Sequence, residues 1–461
     1  MKHWTTKFTK ECGRCSVSIF VDFAGFRAFR IPMVLWWEEA QIRTITAEKV
    51  STGDQIMNTV APESVGFSAS RLDRIQTVMQ SLVDQGRLPG AVTVIARHGQ
   101  VAHAGCFGMA DIEAKKPMQM DALFPIFSMT KPITAAAVML LYERGCFQLY
   151  DPLSKFLPEF KGGKVYIKTS EKGIELEERE REITIYDLLT QTSGLISDLW
   201  LDQTLAQIYQ ESGVQRPDIT LQEFSQLIAR LPGLHQPGKA WRYGESFDIL
   251  PHLIEVVSGS PYATFLKQNI FEPLGMPDTG YYGAQEAGER FVKYYAYSPT
   301  REFVEAVEPD RLVPSTFAWG GFGLVSTAGD FLKFAQMLLN GGELQGRRLL
   351  GPRTVQYMTQ NHLPPEMIPI QLTPEVSING YGYGFGMRVL TDVRRLNGLG
   401  SEGEYGWHGY GGTYFWVDPK EDLIGLILMR IEPFSSMQFE TMGYFTFIDT
   451  FRSLTYQAVV D

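Results

Sequence analysis

The chain has 461 residues, of which 44% are hydrophobic, 12% aromatic and 20% charged, and its formal net charge is -10. This composition is typical of a soluble globular protein that can bury a large core, and it excludes a disordered chain. The negative charge argues against a nucleic-acid partner, because phosphate binding needs a basic face.

Residues 1–56 show no globular pattern. A semi-apolar stretch from Ser16 to Phe26 contains Asp22 and does not reach the length of a signal peptide or a membrane span. We therefore predict an N-terminal extension of unknown role, no membrane association and a cytoplasmic location. Cys12 and Cys15 form a C-x-x-C pair, but no second pair completes a ligand set, so we predict neither a metal nor a cofactor.

A regular pattern begins after this segment. Apolar residues at helical spacing predict an amphipathic helix between Ser68 and Gly86. Two β-type runs around a glycine-containing turn predict a hairpin from Ala91 to Gly105.

The next helix carries a Ser-x-x-Lys sequence, Ser128 to Lys131, which occurs once in the chain. At this spacing both side chains project from the same side of a helix, so the lysine amine can reach the serine hydroxyl and take its proton. Pro132 is tolerated only near a helix start, which places the pair in the first turn. There the positive end of the helix dipole disfavours a charged ammonium, as a lysine base requires. The pattern predicts a serine hydrolase without a catalytic histidine.

The rest of the chain alternates between helical and strand patterns. Residues 151–315 mix helical patterns with Pro and Gly breaks and predict a mostly helical insertion. Within it, the charged run from Lys168 to Glu182 indicates a solvated loop or excursion. Further predicted elements are a helix from Ala328 to Leu339, strands at Gly384 to Leu390, Thr413 to Val417 and Leu423 to Met429, and a closing helix from Phe439 to Tyr456. We predict an α/β fold whose antiparallel sheet, flanked by helices, is built from both termini (57–150 and 316–461) around the insertion.

Two later segments contain residues suited to a role in catalysis. Tyr243, in Trp241–Asp248, can relay a proton beside a Ser-Lys pair, although a tyrosine taken alone is more often a packed aromatic. In Gly406–Asp418, glycines allow a close backbone approach and the adjoining strand can offer an oxyanion amide. The alternative for this segment is a glycine-rich turn before a core strand, with His408 as a core residue.

Together these segments resemble the serine β-lactamase-like hydrolases, especially class C-like β-lactamases, D-peptidases and family VIII carboxylesterases. The resemblance runs from about Val60 to near the C-terminus. The matching stretches, in the expected order, are Phe127–Lys131, Thr184–Leu195, Pro237–Tyr243, Gly320–Thr327 and Trp407–Gly409.

The resemblance implies a role for each matched residue. It makes Ser128 the nucleophile, Lys131 its proton partner and Tyr243 the second acid-base group, with the backbone amides of Ser128 and Tyr410 as the oxyanion hole. The residues it places in contact with substrate are Phe127, Trp407, His408, Gly409 and Tyr410.

Two departures from the family pattern bear on the substrate. Trp407 stands where β-lactamases and D-peptidases have Lys or His, and Glu245 stands where they have Asn. Both favour a neutral small-molecule ester, so we predict a carboxylesterase for short- to medium-chain acyl esters. The alternatives are a β-lactamase or D-amino-acid amidase or peptidase, an acyltransferase, and a non-catalytic binding relative. A Gly-x-Ser-x-Gly elbow is absent from the sequence, which disfavours an α/β-hydrolase. The sequence does not specify an oligomeric state.

Overall fold

The computed structural model describes residues 57–170, 173–195, 203–214, 216, 218–298, 302–307, 318–373, 376–396, 398–432 and 445–461. Cys12, Cys15, the predicted N-terminal extension, the predicted boundary at residues 315 and 316, and the start of the predicted closing helix at Phe439 lie outside these residues. The limits predicted for the insertion therefore stay a prediction.

The strands of the described residues are short outside one central sheet. In chain order they are β1 Gly90–Arg97, β2 Gln100–Asp111, β3 Lys116–Pro117, β4 Phe124–Pro125, β5 Lys164–Ser170, β6 Gly173–Glu178, β7 Tyr295–Tyr297, β8 Phe303–Glu305, β9 Val325–Ser326, β10 Glu343–Leu344, β11 Arg347–Arg348, β12 Ile370–Gln371, β13 Ser377–Ile378, β14 Tyr381–Tyr383, β15 Arg388–Leu390, β16 Tyr405–His408, β17 Tyr414–Asp418 and β18 Leu423–Met429.

The central sheet has, within the described residues, eight strands in the order β14-β15-β16-β17-β18-β1-β2-β3. All of its pairings are antiparallel, and the N-terminal and C-terminal strands join where Ala91 of β1 faces Met429 of β18. The predicted α/β fold, with an antiparallel sheet built from both ends of the chain, is confirmed.

Helices cover both faces of this sheet. In chain order they are α1 Ala69–Leu72, α2 Arg74–Asp84, α3 Thr130–Glu143, α4 Ile185–Leu189, α5 Gln203–Glu211, α6 Leu221–Arg230, α7 Ser246–Ser258, α8 Tyr262–Leu266, α9 Glu272–Leu274, α10 Ala284–Ala287, α11 Ala328–Leu339, α12 Pro352–Met358 and α13 Phe445–Ala458.

Alternate residues of strand β17 pack against helices on the two faces of the sheet. Phe415 meets Phe331 of α11 with ring centroids 4.9 Å apart, whereas Trp416 meets Phe451 of α13 on the opposite face at 5.6 Å. Side chains along a strand point alternately to the two faces, so one apolar run serves both cores.

Helix α3 lies in the interior. All its residues from Thr130 to Leu141 are buried, as expected for a helix that is apolar around its whole circumference. Its first turn therefore places Lys131 inside the protein, close to the insertion.

Two local expectations need correction. Most of the charged run from Lys168 to Glu182 lies in a β-hairpin, β5 with β6, so it is an excursion and not a loop. Most residues of the two strands are exposed, so their charges are solvated as predicted. The helix predicted from Ser68 to Gly86 is two helices, α1 and α2, which meet at Asp73. Among the described residues, no helix combines the length and apolarity needed to cross a bilayer.

Candidate active site

Ser128 lies at the junction between a tight turn and helix α3. Residues Phe127–Met129 form a 3-10 turn that continues into the helix. The residue before the serine, Phe127, has φ 46°, in the left-handed region that non-glycine residues adopt at a cost. The chain thus bends sharply just before the serine hydroxyl.

Ser128, Lys131 and Tyr243 converge as predicted from the sequence. The Tyr243 hydroxyl donates to Ser128 Oγ at 2.5 Å, and Lys131 Nζ donates to the same oxygen at 3.2 Å. Lys131 Nζ also lies 4.5 Å from the centre of the Tyr243 ring. The serine oxygen therefore contacts two groups that can exchange a proton with it.

Helix α7 and the segment around Gly321 hold the lysine. Lys131 is 3% exposed, and its Nζ donates to the Gly321 carbonyl oxygen at 2.8 Å. The Gly321 amide in turn donates to Asp248 Oδ1 at 2.8 Å. A buried lysine held by a fixed carbonyl has few alternative rotamers, so its amine stays directed at Ser128.

An aromatic cluster supports Tyr243 from behind. Its ring lies 5.8 Å from that of Trp407 and 6.3 Å from that of Trp241, and Tyr383 contacts both tryptophans. Trp407 is fully buried. Its position favours a packing role behind Tyr243, and the expectation that it contacts substrate stays a prediction.

His408 follows Trp407 and stacks on it, with ring centroids 4.6 Å apart. Burial, followed by the charges of Arg388 and Lys131, lowers the pKa of His408 from 6.5 to about 3. The imidazole is therefore neutral at physiological pH and cannot replace the cationic Lys or His of related enzymes.

The glycine-rich turn at Gly409–Gly412 packs directly on Phe127. A Cβ at Gly411 would lie 2.5 Å from the Phe127 ring, and one at Gly409 would lie 3.1 Å from Phe127 Cβ. Thr413 Oγ1 also donates to the Ile126 carbonyl at 3.2 Å. The turn carrying Tyr410 is thereby adjacent to the segment carrying Ser128, as an oxyanion hole made by these two residues requires.

Tyr410 lies at the surface of this turn. Its ring centroid is 5.9 Å from that of Phe127, and 37% of the residue is exposed. Burial, and next the carboxylate of Glu432, raise the pKa of Tyr410. Its hydroxyl therefore keeps its proton at neutral pH.

The beta-lactamase family model matches residues 75–441 of this chain. The chain belongs to the beta-lactamase family. It is 34% identical over 364 residues to protein Rv1367c of Mycobacterium tuberculosis, covering 78% of this chain and 90% of that one. It is 30% identical over 383 residues to esterase EstB of Burkholderia gladioli, and the alignment covers 78% of this chain and 91% of EstB. The solved structure of EstCE1, a hydrolase with promiscuous acyltransferase activity, matches with a TM-score of 0.68 and 25% identity. The match covers 85% of this chain and 99% of the EstCE1 chain.

Sequence reasoning missed two residues of this beta-lactamase-family site. Gly321 and Asp248 fall within segments singled out above, yet neither was assigned a role. Their contact joins residues far apart in the chain, so no local spacing signals it. The catalytic roles stay predictions for Ser128, Lys131, Tyr243 and Tyr410. The contacts described above specify which groups each predicted role would involve.

Proposed function

We propose that this protein is a serine carboxylesterase that hydrolyses short- to medium-chain acyl esters through an acyl-enzyme on Ser128. The observation that carries the proposal is the double contact on Ser128 Oγ, from Tyr243 at 2.5 Å and Lys131 at 3.2 Å. The similarity to esterase EstB, which covers most of both chains, supports the same class of reaction.

The reaction proceeds in two halves. Ser128 Oγ attacks the ester carbonyl carbon while its proton passes to the Lys131/Tyr243 pair, and the carbonyl oxygen becomes an oxyanion held by the amides of Ser128 and Tyr410. The C–O bond to the alcohol then breaks, and the alcohol leaves with that proton. Water attacks the acyl-enzyme, gives a proton to the same pair and releases the carboxylic acid, while Ser128 regains its proton.

The charges around the site favour a neutral substrate. The buried, uncharged Trp407 replaces the cation that binds the carboxylate of a β-lactam or peptide in the resembling enzymes. Glu245, two residues after Tyr243, is 5% exposed and precedes helix α7 as its N-cap, so an acidic group replaces an amide donor. An anionic substrate would therefore find no cation at position 407.

Transfer of the acyl group to an alcohol is the second candidate activity. EstCE1 is a hydrolase with promiscuous acyltransferase activity, so it combines both reactions in one protein. The same acyl-enzyme supports both outcomes, because an alcohol replaces water as the second nucleophile.

A substrate panel tests this proposal. The purified protein is assayed with p-nitrophenyl butyrate, nitrocefin and a D-alanyl p-nitroanilide, and butyrate hydrolysis is also followed with increasing methanol. We expect the ester to dominate, and methyl butyrate to form if transfer occurs. Faster turnover of nitrocefin or the D-alanyl amide would replace the esterase proposal, and no turnover together with no acylation of Ser128 would favour a binding relative.

A further inference from the structure

We propose that Glu432 is a positioning residue that holds Tyr410, and with it the oxyanion turn, against Ser128. This inference rests on the proposed function, since it concerns the same oxyanion site. Glu432 follows strand β18 and is distant in sequence from the motifs of the catalytic site.

Glu432 accepts hydrogen bonds from two tyrosines. The Tyr410 hydroxyl donates to Glu432 Oε1 at 2.7 Å, and the Tyr294 hydroxyl donates to Oε2. Tyr294 is 1% exposed and lies just before strand β7. Hydrogen bonds to a carboxylate are stronger than those between neutral groups. The carboxylate therefore ties an exposed side chain of the turn to a buried one.

The backbone of Glu432 is itself fixed. Its amide donates to the Tyr295 carbonyl at 2.7 Å, and the neighbouring Ile431 amide donates to the Gly411 carbonyl at 2.9 Å. The same short segment thus holds the turn through a main-chain bond at Gly411 and a side-chain bond at Tyr410.

This attachment matters because the turn contains three glycines, at 409, 411 and 412. Glycines permit the close contact with Phe127, but they also give the turn more conformational freedom than other residues would. An oxyanion donor is effective only if its direction is set before charge develops on the substrate. The Glu432–Tyr410 bond limits that freedom on the exposed side of the turn.

Tyr410→Phe and Glu432→Gln test this role. Tyr410→Phe removes the hydroxyl but keeps the ring beside Phe127 and the backbone amide. We expect each variant to lose about tenfold in kcat for p-nitrophenyl butyrate, with KM within about twofold of wild type, since removing an oxyanion donor outright costs about 10²- to 10³-fold. Affinity for a trifluoromethyl ketone inhibitor should fall by the same factor. The losses should be less than additive in the double variant, because both changes weaken the same Tyr410–Glu432 bond.

Hydrogen exchange gives a readout independent of turnover. The peptide containing Gly409–Thr413 should exchange faster in both variants, because its turn loses one of its attachments. Tyr297→Phe is the matched control: its hydroxyl donates to the Arg87 carbonyl, so kcat and exchange in the turn should match wild type.

The outcomes separate this inference from the proposed function. Unchanged exchange in the turn in both variants overturns the positioning role, whatever the kinetics. A higher KM with unchanged exchange also overturns it, and makes the Tyr410 hydroxyl a substrate contact instead. If wild type hydrolyses no ester, the proposed function fails, while faster exchange in both variants still supports the attachment.

Discussion

Replacing Gly321 by alanine tests how the lysine is held. A Cβ at this position would lie 2.7 Å from Asp248 Oδ2 and 3.1 Å from Lys131 Nζ. Both distances are shorter than ordinary van der Waals contact, so the carboxylate must shift and the amine must move by a few tenths of an ångström.

That displacement acts directly on the catalytic geometry. Lys131 Nζ lies 3.2 Å from Ser128 Oγ, already at the long end of hydrogen-bond distances. Because a misplacement of about 1 Å costs about 10²-fold in rate, we expect the smaller displacement in Gly321→Ala to lower kcat/KM by up to about tenfold. Overpacking should also cost about 1–3 kcal/mol of stability.

The assay compares kcat/KM for p-nitrophenyl butyrate with thermal unfolding of the same preparations. Gly329→Ala is the control, since Gly329 lies in helix α11 and a Cβ there meets nothing nearer than 3.5 Å. It should keep wild-type activity and gain up to about 1 kcal/mol from helix propensity. A folded Gly321→Ala protein with wild-type kcat/KM would refute the inference that the Gly321 segment directs Lys131.

Three further changes address proton transfer, a buried histidine and a buried ion pair. Tyr243→Phe should lower kcat roughly 10²- to 10³-fold with unfolding unchanged, and full turnover would remove it from the proton pathway. Burial lowers the pKa of His408 from 6.5 to about 3. Between these two pH values, the imidazole is protonated in the unfolded chain but not in the folded protein. Stability should therefore fall as the pH drops below about 6.5, and His408→Gln should flatten that slope by up to about 1.4 kcal/mol per pH unit in urea titrations; an unchanged slope contradicts this. Arg452 and Glu404 pair with side chains 3% and 1% exposed, so Arg452→Leu should cost about 3–5 kcal/mol in urea unfolding. Arg394 pairs with Asp392 at the surface, where the Arg394 side chain is 86% exposed. The control Arg394→Leu should therefore cost less than about 1 kcal/mol, and equal losses would contradict the role of burial.

The fold was predictable wherever the chain carries a strong local period. Strand β18 and helix α11 have the predicted limits, Leu423–Met429 and Ala328–Leu339, because each is a continuous apolar or amphipathic run. The hairpin between Lys164 and Glu178 was missed because its dense charges indicated a solvated segment. Val165 and Ile167 in one strand, and Ile174 and Leu176 in the other, do alternate with polar residues as in a strand.

The candidate site was predictable to the extent that its residues lie in motifs. Ser128 and Lys131 are one helical turn apart, and the resemblance identified Tyr243. The Asp248–Gly321 contact and the Glu432 attachment depend on how distant segments pack. The burial of Trp407 behind Tyr243 likewise follows from the sheet and its neighbouring aromatics, which the residue type alone does not reveal.

Covalent labelling of Ser128 tests the central claim most directly. Wild type, Ser128→Ala and Lys131→Ala are treated with a fluorophosphonate, and intact mass and peptide mapping follow the adduct while butyrate hydrolysis is measured in parallel. We predict one adduct per chain, on Ser128. Labelling should be absent in Ser128→Ala and slowed by about 10³-fold or more in Lys131→Ala, and butyrate hydrolysis should be lost together with labelling. An adduct on another residue, or a Ser128→Ala protein that hydrolyses butyrate at the wild-type rate, would contradict the account.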